Sequence, residues 1–414
     1  MLQKCNTIQP WYVKWFSIIL GAFLSLDTII IYLFPSVEGV DTGGTFGQIN
    51  IVCLVLFLFV SLKAHLLNPR NVPGICIIIE LMILIYLVFT VQFIGEPLTP
   101  VSVILVFSLV SFLLPHFCEI DTRLFLKTMM LLSIPAVFRI NDIFFKMIFA
   151  EDALSTGYSY SFMKPVVISI VYLRFYFKDE RTAEKILTFI AFAINMVFAG
   201  FLVAFGSRAP VVAILLLLCG IYFIQENEKK NTVTIKKNRL LITIVSICLV
   251  LIFFIPILQY LQNILKADGI SLNFIDKFLD MNDRDNITSD RDEIYKYTIQ
   301  GIKEQPLFGY GIDQFFNNTG RAYPHNFFLQ MLYDCGCFIA ALLFIPQIIN
   351  FIKKIRFYKF DEFVLIMALF FASVPGALFS NDLWANNVLW VFFGFMFSKR
   401  LGRKTTKINS HYDK

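Results

Sequence analysis

The stretch SDRDEIYKYTIQGIKEQPLFGYGIDQFFNNTGRAYPHNFFLQMLYDCG, residues 289–336, is the longest polar interval in a chain that is otherwise apolar. Of the 414 residues, 57% are hydrophobic, 47 are Phe and only 16% are charged. Soluble domains carry about a quarter charged residues, so the sequence reads as an all-α polytopic membrane protein in which this interval is the main extramembrane element. Apolar runs long enough to span lie at 15–34, 49–67, 74–95, 99–117, 124–142, 160–177, 186–205, 209–225, 240–260, 325–350, 361–379 and 384–398. At about 20 residues per crossing they make twelve helices. The expected organisation is nine membrane helices in 1–260, one large outer loop of short helices in 261–324, helices ten to twelve in 325–398, and a basic tail in 399–414.

Placing the N-terminus in the cytoplasm and alternating the connections puts 25 of the 36 Lys and Arg residues inside. Of the remaining 11, seven fall in the long loop, whose length exempts it from the charge rule. Both termini are therefore expected inside and the long loop outside. The fifth span is the weakest of the twelve, and IFFKMIFA within 141–159 reads as either a loop or an interfacial helix. In the loop, 274–279 and 294–302 have helical spacing, Gln305-Pro306 stops the second of these, and Gly309-Tyr310-Gly311 marks a turn.

The net charge of +6 comes from short loops beside apolar runs, where basic residues act as topology signals, so no nucleic-acid partner is expected. The eight cysteines lack the paired spacing of a metal site or a disulfide framework. The acidic run Asp280, Asp283, Asp285, Asp290 and Asp292 lacks the glycine and glutamate of a calcium loop, so it reads as solvated and no metal is expected. Asp27 and Glu80 lie inside apolar runs and are left unassigned. Asn286 and Asn317 each begin a glycosylation triplet, a pattern that arises often by chance.

Two helix starts stand out. Gly206-Ser207-Arg208-Ala209-Pro210 has a serine cap followed by a proline in the first turn. Pro324-His325-Asn326 opens the tenth span, and both starts face outward under the assignment above. Each presents unpaired N–H groups and a partial positive charge, and with Arg208 and Arg291 nearby they would suit a phosphate or pyrophosphate. The bland alternatives are an arginine that snorkels to lipid phosphates and a histidine that caps or borders a helix. A histidine at a helix N-terminus is disfavoured as a cation, which would keep His325 neutral and able to accept a proton.

Three pieces in order, GSRAP, then RDEIYKYTIQGIKEQPLFGYGIDQF, then HNFFLQMLYDCG, resemble the O-antigen ligase and polymerase superfamily. Its members share an arginine at a helix mouth, a periplasmic loop with a Pro-Leu-x-Gly-x-Gly pattern, and a His-Asn pair followed at fixed spacing by glycine. Ile339 departs from the ligase pattern, and GSRAP looks more like polymerases. The resemblance implies a GT-C-like, metal-independent inverting glycosyltransferase of the bacterial inner membrane that needs no cofactor. Its donor would be an undecaprenyl-pyrophosphate-linked oligosaccharide, its acceptor a sugar hydroxyl, and its setting membrane lipid, with room for a chain-length regulator as a partner. His325 would be the base, and Arg208 and Arg291 would hold pyrophosphate. Asn326 would position the acceptor, and Arg321, Tyr310 and Tyr323 would line the sugar groove. A ligase handing glycan to lipid A core, a polysaccharide transporter and a structural scaffold are the competing readings.

Overall fold

The computed structural model describes residues 10–33, 42–65, 67, 72–94, 108–117, 119–141, 152–205, 208–227, 232–235, 256–267, 275, 279, 291–312, 314–321, 323–355, 359–379 and 382–398. These residues are almost wholly helical. The main helices are Trp11–Leu33, Thr42–Lys63, Gly74–Ile94, Thr122–Leu131, Asp152–Phe175, Thr182–Phe205, Arg208–Phe223, Arg291–Glu304, Phe327–Ile355, Phe360–Phe379 and Asn387–Phe397. Most of the expected ninth span, much of the long loop and the basic tail lie outside the described residues.

Three stretches, Thr182–Val203, Phe327–Ile352 and Phe360–Phe379, are long and apolar enough to cross a membrane. Prolines 165, 346 and 375 sit inside helices, as membrane helices tolerate when neighbours support the opened backbone. The core gathers around Asn387–Phe397, whose eleven residues are buried on every side. A helix apolar all round belongs at the centre of a bundle. At 1.5 Å per residue it is about 16 Å long, roughly half a hydrocarbon core, so the expected span 384–398 is shorter than a full crossing.

Three further expectations meet departures. The fifth span, 124–142, is a ten-residue helix, Thr122–Leu131, followed by a tighter helix, Ile134–Arg139, with Pro135 in its first turn. The all-α class holds apart from one small exception among the described residues, an antiparallel hairpin, Ile224–Asn227 with Thr232–Ile235, in register Ile224↔Ile235 to Asn227↔Thr232. All four residues of its second strand, Thr232, Val233, Thr234 and Ile235, are β-branched, which favours extended backbone over helix.

The largest departure is the expected tenth span. Gly336 has φ 71° and ψ 176° inside Phe327–Ile355. The ring of Phe328 lies 4.6 Å from that of Phe344, and Phe327 lies 5.6 Å from the same ring. A straight helix would separate residues sixteen apart by about 24 Å. The chain therefore folds back at Gly336, leaving a short arm, 327–335, against a longer arm, 337–355. At nineteen residues the longer arm measures about 28 Å, close to a full hydrocarbon thickness. By itself this arm is long enough to span, although the whole stretch is apolar.

Polar contacts join connections that the alternation rule assigns to one face. Lys127 binds Glu180 at 2.8 Å and Glu184 at 2.9 Å, and the Tyr172 hydroxyl donates to Glu180 at 2.7 Å. Tyr176 donates to the Asp361 carboxylate at 2.8 Å, and the Thr122 hydroxyl donates to the Asp361 carbonyl at 3.3 Å. Segments beginning near residues 122, 177 and 360 thus share one end of the bundle, as the expected inner connections should.

Candidate functional site

The break at Gly336 organises the surroundings of His325. In a continuous helix the N–H groups of Cys337 and Phe338 would reach the carbonyls of Tyr333 and Asp334. Here they donate instead to Pro306 at 2.9 Å and Leu307 at 3.3 Å. The two vacated carbonyls accept from Tyr310 N–H at 2.9 Å and Gly311 N–H at 2.8 Å. The Pro-Leu-x-Gly-x-Gly turn therefore supplies four replacement bonds to the two helix ends created by the break, groups that would otherwise be orphaned.

Glycine is required on both sides of this contact. Gly309 has φ 68°, and a Cβ there would sit 2.6 Å from the carbonyl carbon and oxygen of Asp334. Gly336 also has positive φ, and its Cβ would overlap the Leu307 carbonyl. No L side chain satisfies both the conformation and the space.

The loop helix Arg291–Glu304 packs on the short arm through Tyr333. Ile294, Phe315 and Tyr333 form a small core that Ile302 and Tyr310 border. Tyr310 stacks on Tyr333 at 5.0 Å, and the Asn318 amide donates to the Tyr333 hydroxyl at 2.9 Å. Tyr310 also donates its own hydroxyl to Glu304 at 2.7 Å. That bond pushes the Tyr310 phenol up to about 12 and holds the Glu304 carboxyl below its usual range.

His325 is half-buried and lies at φ 57°, one of two non-glycine residues with positive φ among those described. Its ring is 4.5 Å from that of Tyr323. Left-handed backbone is uncommon outside glycine, though histidine tolerates it better than most, and such outliers cluster at functional sites. Asn326 follows as the cap of the short arm: its Oδ1 accepts from Phe328 N–H at 3.0 Å and Leu329 N–H at 3.2 Å. Its Nδ2 donates to the Leu378 carbonyl at 3.4 Å. Both polar atoms of Asn326 are thus engaged within the protein.

Below the cap, a polar stripe at four-residue spacing continues along the arm. Gln330 donates to Asp382 at 2.6 Å and accepts from Leu383 N–H at 2.8 Å. Asp334 accepts from the Trp384 indole at 2.7 Å. The connection 382–386 is thereby fastened to the helix that begins beside His325. Asn326, Gln330 and Asp334 recur every fourth residue in an apolar run, a pattern readable in the sequence but not singled out there. Lys164, buried in helix Asp152–Phe175 beside Ser25 and Ser133, was likewise passed over.

The structure brings the expected residues together unevenly. Tyr323 and His325 are in ring contact. Tyr310 and the helix opened by Arg291 dock on the arm that His325 precedes. Arg291 is half-buried and Arg321 is exposed. Arg208 opens helix Arg208–Phe223, which packs on Asp152–Phe175 and Phe360–Phe379, but its side chain lies outside the described residues. The second expected anion-binding helix end takes another form: the short arm is capped by Asn326, and the N–H groups opening the spanning arm are held by Pro306 and Leu307.

Residues 190–345 match the family model described as O-antigen ligase. The matched region is less than half of the chain, and it contains every residue expected at the site. The resemblance seen in the three motifs is borne out over this region. No curated protein matches the chain.

Proposed function

We propose that this chain is a membrane glycosyltransferase that joins undecaprenyl-pyrophosphate-linked oligosaccharide repeat units at the periplasmic face, acting as an O-antigen or surface-polysaccharide polymerase. The observation that carries the reading is the family match over 190–345, within which the Pro-Leu-x-Gly-x-Gly turn clasps the helix that His325 precedes. An acceptor sugar hydroxyl attacks the anomeric carbon of the donor, the bond to pyrophosphate breaks, and the configuration inverts. His325 takes the hydroxyl proton as the new glycosidic bond forms. Undecaprenyl pyrophosphate departs with the bonding electron pair, its growing charge held by Arg208 and Arg291. Tyr323, in tilted ring contact with His325, together with Tyr310 and Arg321, lines the path of the sugars. Asn326 sets the backbone on which His325 stands.

Proton removal by a positioned base contributes roughly 100- to 10,000-fold. His325→Ala and Arg208→Ala variants that insert normally should therefore lose chain elongation by at least about two orders of magnitude with lipid-linked repeats in reconstituted vesicles. Unchanged elongation in both would remove the catalytic assignment.

The description of the matched family favours a second reading, a ligase that transfers finished glycan to lipid A core. A deletion strain separates the two. Loss of a polymerase leaves single repeats attached to the surface carrier, whereas loss of a ligase leaves none attached.

A further inference from the structure

We propose that Leu307 and Phe308 form a lipid-inserted wedge, which docks the outer loop onto the acyl chains of the bilayer beside the spanning arm 337–355. The two residues are 62% and 60% exposed, although they belong to a turn tightly bonded to a membrane helix. Phe308 lies against Phe338, with ring centroids 6.5 Å apart. Phe338 is 52% exposed, and the stripe continues through Ile345, Ile348 and Ile352, all more than half exposed. Their spacing of seven, three and four residues keeps one helical face outward. On the opposite face Ile339, Leu343 and Gln347 are buried. A stripe of large apolar residues along a helix of spanning length is its lipid-facing side, and Leu307 and Phe308 extend that side beyond its first residue.

Irregular backbone is tolerated at membrane depth only where its polar groups are satisfied within the protein. Five of the turn's backbone polar groups meet that condition. The carbonyls of Pro306 and Leu307 accept from Cys337 and Phe338, and the N–H groups of Gly309, Tyr310 and Gly311 find carbonyls at Gln305, Tyr333 and Asp334. The charges stand back from the apolar tip: Lys303 and Glu304 close the preceding helix, and Glu304 is engaged by Tyr310 and Gln300. Two large side chains pointing outward beneath a polar helix match the amphipathic arrangement of segments lying at the boundary between headgroups and acyl chains. The occupant is bilayer lipid, because the apolar tip is continuous with the lipid-facing stripe of the spanning arm.

The test uses full-length protein with its eight native cysteines replaced, carrying a nitroxide on Phe308→Cys or, in a second variant, on Leu307→Cys. Ile345→Cys and Lys303→Cys serve as lipid and water references. The protein is reconstituted in phosphatidylethanolamine and phosphatidylglycerol vesicles free of isoprenoid lipid. Collisions of the label with oxygen, which partitions into acyl chains, should exceed those with a water-soluble nickel chelate at 307 or 308 by several-fold, as at 345. A nickel preference at both positions, as at 303, overturns the proposal in favour of a water-exposed turn. Low collision with both reagents overturns it in favour of a protein partner or a second copy covering the tip. No glycan substrate is involved, so the outcome is independent of the polymerase reading.

Discussion

At Gly336, positive φ coincides with a backbone contact too close for any side chain. Backbone in this essentially glycine-only region costs an L residue roughly 1–3 kcal/mol, and overlap with the Leu307 carbonyl adds to that. Gly336→Ala should therefore lower thermal stability in detergent by at least about 1–3 kcal/mol and separate the turn from the arm. Increased hydrogen exchange at the Tyr310 and Gly311 amides would report that separation, and a variant as stable and as protected as the parent would contradict it. The spacing of Gly336 from His325-Asn326 was visible in the sequence as a motif. Its purpose was not, because a glycine in an apolar run does not announce that the helix reverses there. Likewise His325 could be placed at a helix start from Pro324 and Asn326, whereas its left-handed backbone and its contact with Tyr323 depend on the folded turn.

Among elements, the short helix Arg291–Glu304 and its stop at Gln305-Pro306 were legible from spacing and from proline. The spans 186–205 and 361–379 also correspond to observed helices. Hydropathy locates the tenth span but is blind to the change of direction at Gly336 inside it. At the opposite end of the bundle, Glu180 is bonded to helices Thr122–Leu131 and Asp152–Phe175 through Lys127 and Tyr172. Burial would push its carboxyl up, but hydrogen bonds from Lys127 and Tyr172 outweigh this and hold it below the ordinary value of 4.5. Its contribution is therefore fully present above that ordinary value and is lost as pH falls through the lower value of the folded state. Thermal midpoints in detergent should stay level from pH 7 to about 5 and then decline. Glu180→Gln should remove that share of the decline, and an identical acid profile in the variant would show that Glu180 does not drive it.

For the whole molecule, the convergence of segments near residues 122, 177 and 360 fits the alternation of connections from which a cytoplasmic N-terminus was assigned. If that assignment holds, a phosphatase that works only in the periplasm should be inactive when fused after Lys414 and active when inserted at the exposed Asn317. The reverse pattern would invert the topology and place the candidate site on the cytoplasmic side. The sequence by itself determined the membrane class, the positions of most helices, the polar interval and the three motifs, because hydropathy, proline and glycine act locally. Only the tertiary structure decided that the second and third motifs are two halves of one contact, that the spanning arm begins after Gly336, and that Gln330, Asp334, Asp382 and Trp384 brace the helix beside His325. Those features rest on hydrogen bonds between residues about 25 to 50 positions apart, which no local pattern encodes.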